Sequence, residues 1–180
     1  VYYDGGFISE KSFFNNEISG EGNNRICRVS IKANVTKYAS QPDPSFIFKA
    51  ELEKNNLRAN EEIRIIGETK SEAYIYLFSL VDNNDEFIKL FPNNLDKDNK
   101  ISGEFQIPSS TGQKKYGLKA IFPVNVKKKI VPEYMVIVAS KKEMKFFDTE
   151  KKMALYRRLN DYKRENWKME NLGYVIFKDE

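Results

Sequence analysis

The sequence predicts a mainly β protein: an antiparallel, immunoglobulin-like β-sandwich of about seven strands, with an N-terminal β-ribbon and one C-terminal α-helix. Three observations predict it. Short apolar runs follow one another through residues 46–140, separated by Gly, Pro, Asn and Asp turn clusters, with no helical period between them. The aromatic residues are 10 Tyr and 13 Phe against a single Trp, a set that suits half-buried pleated surfaces. Helical spacing enters only after residue 149.

The elements follow in order. Residues 1–38 hold two weak apolar stretches, around Phe7-Ile8 and Phe13-Phe14, then a turn-rich Gly20 to Asn24 and a clear strand from Cys27 to Val35. This is the pattern of a β-ribbon, or the end of a preceding domain. In the Cys27 strand, Cys27, Val29, Ile31, Ala33 and Val35 alternate with Arg28, Ser30, Lys32 and Asn34, so Cys27 is expected to face a core as a buried, inert thiol. Residues 39–45, with Pro42 and Pro44, read as a linker.

Residues 46–140 supply the sandwich. Strands are expected over Phe46–Leu52 and Glu61–Glu68. The run Ala73–Val81 is apolar at nearly every position, as a central strand covered on both faces should be. Further strands are expected over Glu86–Phe91, Ile101–Ile107, Tyr116–Phe122 and Tyr134–Ala139. Residues 141–180 are expected to form a helix and a short strand. Met153, Tyr156, Leu159, Tyr162 and Trp167 suggest a helix from Glu150 to Leu172, capped by Asp148 or Thr149 and stopped by Gly173; Tyr174–Phe177 is the strand.

Composition narrows the chemistry. There is no His, which removes the usual general base near neutral pH and the Ser-His and Cys-His pairs. The single Cys allows no intrachain disulfide and no Cys-based zinc site. Catalysis by carboxylates, Lys or Tyr stays open while the common hydrolytic sites are excluded, and the expectation is no enzyme activity, no cofactor and no metal. The net charge of +4 is spread through interspersed signs, which argues against nucleic acid as partner. The chain starts at Val1 without an apolar leader, so it is expected to be a fragment or processed form with any export signal upstream.

Within residues 46–140, five segments occur in a distinctive order: Tyr74-Ile75-Tyr76-Leu77-Phe78; Lys89-Leu90-Phe91-Pro92-Asn93; Asp98-Asn99-Lys100-Ile101; Gln106-Ile107-Pro108; and Val136-Ile137-Val138-Ala139-Ser140. In these segments the chain resembles the bacterial domain of unknown function 4384. The resemblance implies a small β-sandwich appended to other modules in envelope or signalling proteins, with no catalytic residues to carry over. Residues 1–37 resemble the last strands of an envelope-lipoprotein α+β domain. A periplasmic or cell-envelope location follows as an expectation of the resemblance.

Few positions invite a functional role. The Phe91–Asn94 corner reads as a strand end, with Asn93 in a left-handed turn, more readily than as a ligand-binding rim. Asp96-Lys97-Asp98-Asn99-Lys100 alternates acids as a calcium loop does, but lacks the Gly and the terminal Glu, so a solvated loop is expected. The remaining candidate is a basic and aromatic surface formed by Lys127, Lys128 and Lys129 with Arg157, Arg158, Tyr162, Arg164 and Trp167. Such a surface would take another protein or an envelope component. The expected function is a noncatalytic envelope module for protein interaction or assembly, the alternative a small-ligand or glycan-binding module.

Overall fold

Strands account for most of the computed structural model, which describes residues 2–3, 6–20, 26–38, 40–81, 85–124 and 126–178. The chain divides into two compact units, Val1–Gln41 and Pro42–Glu180, and the division falls within the proline-bearing segment.

The first unit is a three-stranded antiparallel sheet in the order β1-β2-β3, with β1 at Tyr2–Tyr3, β2 at Gly6–Ser19 and β3 at Ile26–Lys37. The alternation along β3 is present, but its residues are exposed or half-buried. Cys27 is exposed, which corrects the expectation of a buried thiol. The alternating signal reports a two-faced strand and is silent on what covers the apolar face.

The second unit is organised by one long strand. In chain order it contains β4 (Phe48–Leu52), β5 (Asn56–Arg58), β6 (Glu62–Ile63), β7 (Ile65–Val81), β8 (Glu86–Phe91), β9 (Lys100–Ile107), β10 (Leu118–Lys119), β11 (Ile130–Ser140), β12 (Thr149–Lys151), helix α1 (Lys152–Asn160) and β13 (Trp167–Phe177). Residues Ile65–Thr69 of β7 pair with β4 and β9, Ala73 and Tyr74 still pair with β9, and the strand from Tyr74 onward pairs with β11 and then also with β8. Between the halves the ladder slips: Thr69 opposes Gly103 but Ala73 opposes Ile101, leaving extra residues on β7. A bulge of this kind bends its strand and increases its twist. Gly103, with φ of 86°, supplies on the partner strand a conformation that glycine adopts at little cost.

The bend lets β7 serve two layers. Ile65, Ala73, Ile75 and Leu77 face a core that also takes Phe48, Ile107, Ile137, Leu172, Tyr174 and Ile176. On the opposite face Tyr76 and Phe78 pack edge-to-face on Phe146, with centroids 4.8 and 5.1 Å apart, while Phe87 meets Tyr156 of α1. The second half of β7 and the end of β11 are thus covered on both sides, and Met135–Ser140 are all buried, as the continuous apolar runs require. Pro132 interrupts nothing: it lies opposite Val175, before β11 begins to pair with β7 at Met135.

Two expectations are corrected. The eight-stranded sheet, β12-β8-β7-β11-β13-β5 with β4 and β9 on β7, is mixed rather than antiparallel, because β13 and β5 run parallel. The long helix is also shorter than expected. A separate 3₁₀ turn lies at Arg164–Asn166, and the α-helix covers Lys152–Asn160, with Leu155 and Leu159 as its buried pair. Its N-cap is Lys151, which makes no side-chain capping bond, while Glu150 lies in β12. Residues from Trp167 onward form an eleven-residue strand paired position by position with β11, and Gly173 sits opposite Tyr134 within it. The spacing from Tyr162 to Trp167 is not helical, and the Tyr174-Val175-Ile176-Phe177 run extends back along β11 because that pairing buries Trp167, Met169 and Leu172 as well.

The layers are also joined by one polar contact. Half-buried Glu170 on β13 accepts a hydrogen bond from the Ala50 backbone N–H of β4 at 3.1 Å. Burial pushes its carboxyl above the ordinary value, against the lowering effect of that bond and of Lys168 and Lys49. A carboxyl raised on folding favours the folded state at low pH and loses that contribution as pH rises through the folded value. Glu170→Gln keeps an acceptor for Ala50 and removes the buried charge. Urea denaturation should therefore show the variant gaining stability over the parent at neutral pH and matching it at about pH 4.

Candidate interaction surface

The ribbon presents exposed apolar residues at alternating positions of one strand. On β3, Val29, Ile31 and Val35 are 49, 55 and 58% exposed, on the same side as exposed Cys27. The backbone register keeps apolar residue types opposite them: Val35 pairs with Ile8, Ile31 with Phe13 and Cys27 with Ile18. Those β2 residues are five apart, an odd spacing that would alternate sides in a regular strand. Two register shifts, between Ile8 and Glu10 and between Phe14 and Asn16, each absorb one residue and restore the match. The register of β2 thus keeps apolar residue types opposite apolar residue types along the ladder. The other side of β3 carries Arg28 and Lys32.

The residues expected to form a basic and aromatic surface are dispersed. Lys127, Lys128 and Lys129 are exposed ahead of β11, where the Lys129 carbonyl accepts from Lys178 N–H. Arg164 and Trp167 sit by Ser140 at the opposite end of that strand, about 33 Å away at ~3.3 Å per residue. Both are buried, with the Arg164 guanidinium stacked 4.1 Å from the Trp167 ring and donating to the Trp167 carbonyl. Tyr162 is half-buried, and its carbonyl accepts from Trp167 Nε1. Arg158 donates to buried Glu150 at 2.7 Å and lies over Phe147. Arg157 remains exposed on α1.

A second feature is an open groove of about 1170 Å³ over the outer side of β4, β7 and β9. Its rim includes Glu51, Glu68, Asp98 and Glu104, with Lys49 and Lys100 as the cations. Among the described residues no three metal-ligating side chains converge.

At one end of this groove Asp96 corrects the expectation of a solvated loop. It is 5% exposed, and its carboxylate gathers three donors: Ser109 N–H at 2.8 Å, Ser109 Oγ at 2.7 Å and Tyr116 Oη at 3.1 Å. Burial pushes the Tyr116 phenol up to about 12, so it stays a donor. A Cβ at Gly112 would overlap the Asp96 carboxylate, which is why glycine opens the short 3₁₀ turn Gly112–Lys114. Asn93 completes the knot through its amide, donating to the Leu90 carbonyl and accepting from Leu95 and Asp96 N–H. Among the described residues the positive-φ non-glycine positions are Asn60 and Asp85, so Asn93 acts through its side chain rather than through a left-handed backbone. The peptide bonds at Phe91-Pro92 and Ile107-Pro108 are cis.

Asp96 thereby ties the corner after β8 to the corner after β9. Asp96→Asn turns an acceptor into a donor facing other donors, and should cost about 2–4 kcal/mol in urea unfolding. A loss below about 0.5 kcal/mol would show that the knot holds nothing.

No family model, no curated protein and no solved structure matches this chain.

Proposed function

We propose that the chain is a noncatalytic bacterial envelope module that mediates protein interaction or assembly within a larger protein, its Pro42–Glu180 unit serving as an immunoglobulin-like scaffold. The observation that carries this reading is the exposed apolar row of β3. A short ribbon standing in water gains little from side chains left half or more exposed. Large apolar residues at alternating positions gain much more when a second polypeptide covers them. The envelope location rests on the resemblance of the Phe46–Ala139 segments to the bacterial domain of unknown function 4384.

A second reading, a small-ligand or glycan-binding module, is favoured by the groove beside β4, β7 and β9. Its mixed acidic and basic rim and exposed Ile66 offer both polar and apolar contacts.

The interaction reading predicts where a partner touches. A photo-crosslinking amino acid at Ile31 of the chain in its native host should give a discrete adduct with another polypeptide. The same probe at exposed Arg157 should give none. An adduct from Arg157 alone would move the interaction to the basic helix, and no adduct from either position would contradict the proposal.

A further inference from the structure

The partner's chemistry can be read from the free edge of β3, an inference that rests on the interaction reading above. In the order β1-β2-β3 the last strand is bonded on one side only among the described residues, and its twelve residues are exposed or nearly so. Such an edge offers a row of backbone donors and acceptors to another strand. Basic residues on an edge can serve simply to keep it single. Here, however, the same strand leaves Val29, Ile31 and Val35 uncovered, which opposes that purpose.

Charge selects between occupants. Ile26–Lys37 carries Arg28, Lys32 and Lys37 and no acidic residue. A second copy pairing β3 against β3 can therefore bring together only like charges, in any register, and like charges opposite one another are destabilising. Inside the ribbon Arg28 already opposes Glu17, whereas Lys32 opposes the neutral Ser12. An incoming strand with acids on its polar side meets Arg28 and Lys32, while apolar residues on its other side extend the Val29–Ile31–Val35 row.

We infer that the edge of β3 accepts an extended segment of a partner protein that alternates apolar and acidic residues, added as a fourth strand to the β1-β2-β3 sheet.

The test uses the full chain and two labelled twelve-residue peptides, one alternating valine with glutamate and the other valine with lysine, followed by fluorescence anisotropy. The glutamate peptide should bind at least tenfold more tightly than the lysine peptide, and added salt should narrow the difference. Lys32→Glu, at a position whose direct cross-strand partner is the neutral Ser12, should weaken the glutamate peptide about fivefold and strengthen the lysine peptide. Equal binding of both peptides, or no binding of the glutamate peptide, overturns the proposal. Sedimentation then separates the two levels of failure. A dimer that Ile31→Thr dissociates means that a second copy covers the ribbon, so the acidic strand is wrong while the interaction reading stands. A monomer that binds neither peptide and gives no adduct at Ile31 overturns both.

Discussion

Every layer of the Pro42–Glu180 unit depends on β7 being able to change partners halfway along. A single strand of seventeen residues pairs first with β4 and β9 and then with β8 and β11. Because its side chains alternate, it also feeds both cores: Ile75 and Leu77 enter one, Tyr76 and Phe78 the other. The bulge between Thr69 and Ala73, held by Thr69 Oγ1 donating to the Ser71 carbonyl at 2.7 Å, is what lets one strand turn from one layer to the next. The Asp96 knot and the Glu170 contact both act on the geometry that this bend creates. One fixes the corners that flank β9, and the other closes β4 over β13.

The parts that could be read from the sequence are those whose burial leaves a local mark. Ala73–Val81 is covered on both faces and so is apolar at nearly every position. The Cys27–Val35 strand is legible as a strand for the same reason, but its alternation is identical whether the apolar side meets its own core or another molecule. Alternation alone therefore does not separate a buried Cys27 from the exposed one in the structure. Trp167–Phe177 was misread in part because its first residues follow a real helix and contain no breaker until Gly173. Its strand character comes from pairing with β11, in a register that runs from Ser140 opposite Trp167 to Ile130 opposite Phe177, which no local window contains. Asp96 was equally hidden: its burial depends on Ser109 and Tyr116, whose approach is set by the two corners folding together. The candidate surface fared similarly. Arg164 and Trp167 carry the composition of a binding patch but form a buried stack, while the exposed row on β3 carries the composition of a core.

The two units thus treat the same residue types in opposite ways. In Pro42–Glu180, large apolar side chains from β4, β7, β9, β11 and β13 close around one another. On β3 comparable side chains stand in water, on an edge with no bonded neighbour among the described residues. On the interaction role proposed above, the edge of the β1-β2-β3 sheet is the segment that another polypeptide would complete.

Amide hydrogen exchange on the isolated chain tests that central claim most directly. In an edge strand, alternate N–H groups point away from the neighbouring strand. If β3 awaits a partner, its outward amides should exchange at near-solvent rates while those of β7 and β11 stay protected. Continuous protection along β3 in the isolated chain would mean that its edge is already paired, and would contradict the account.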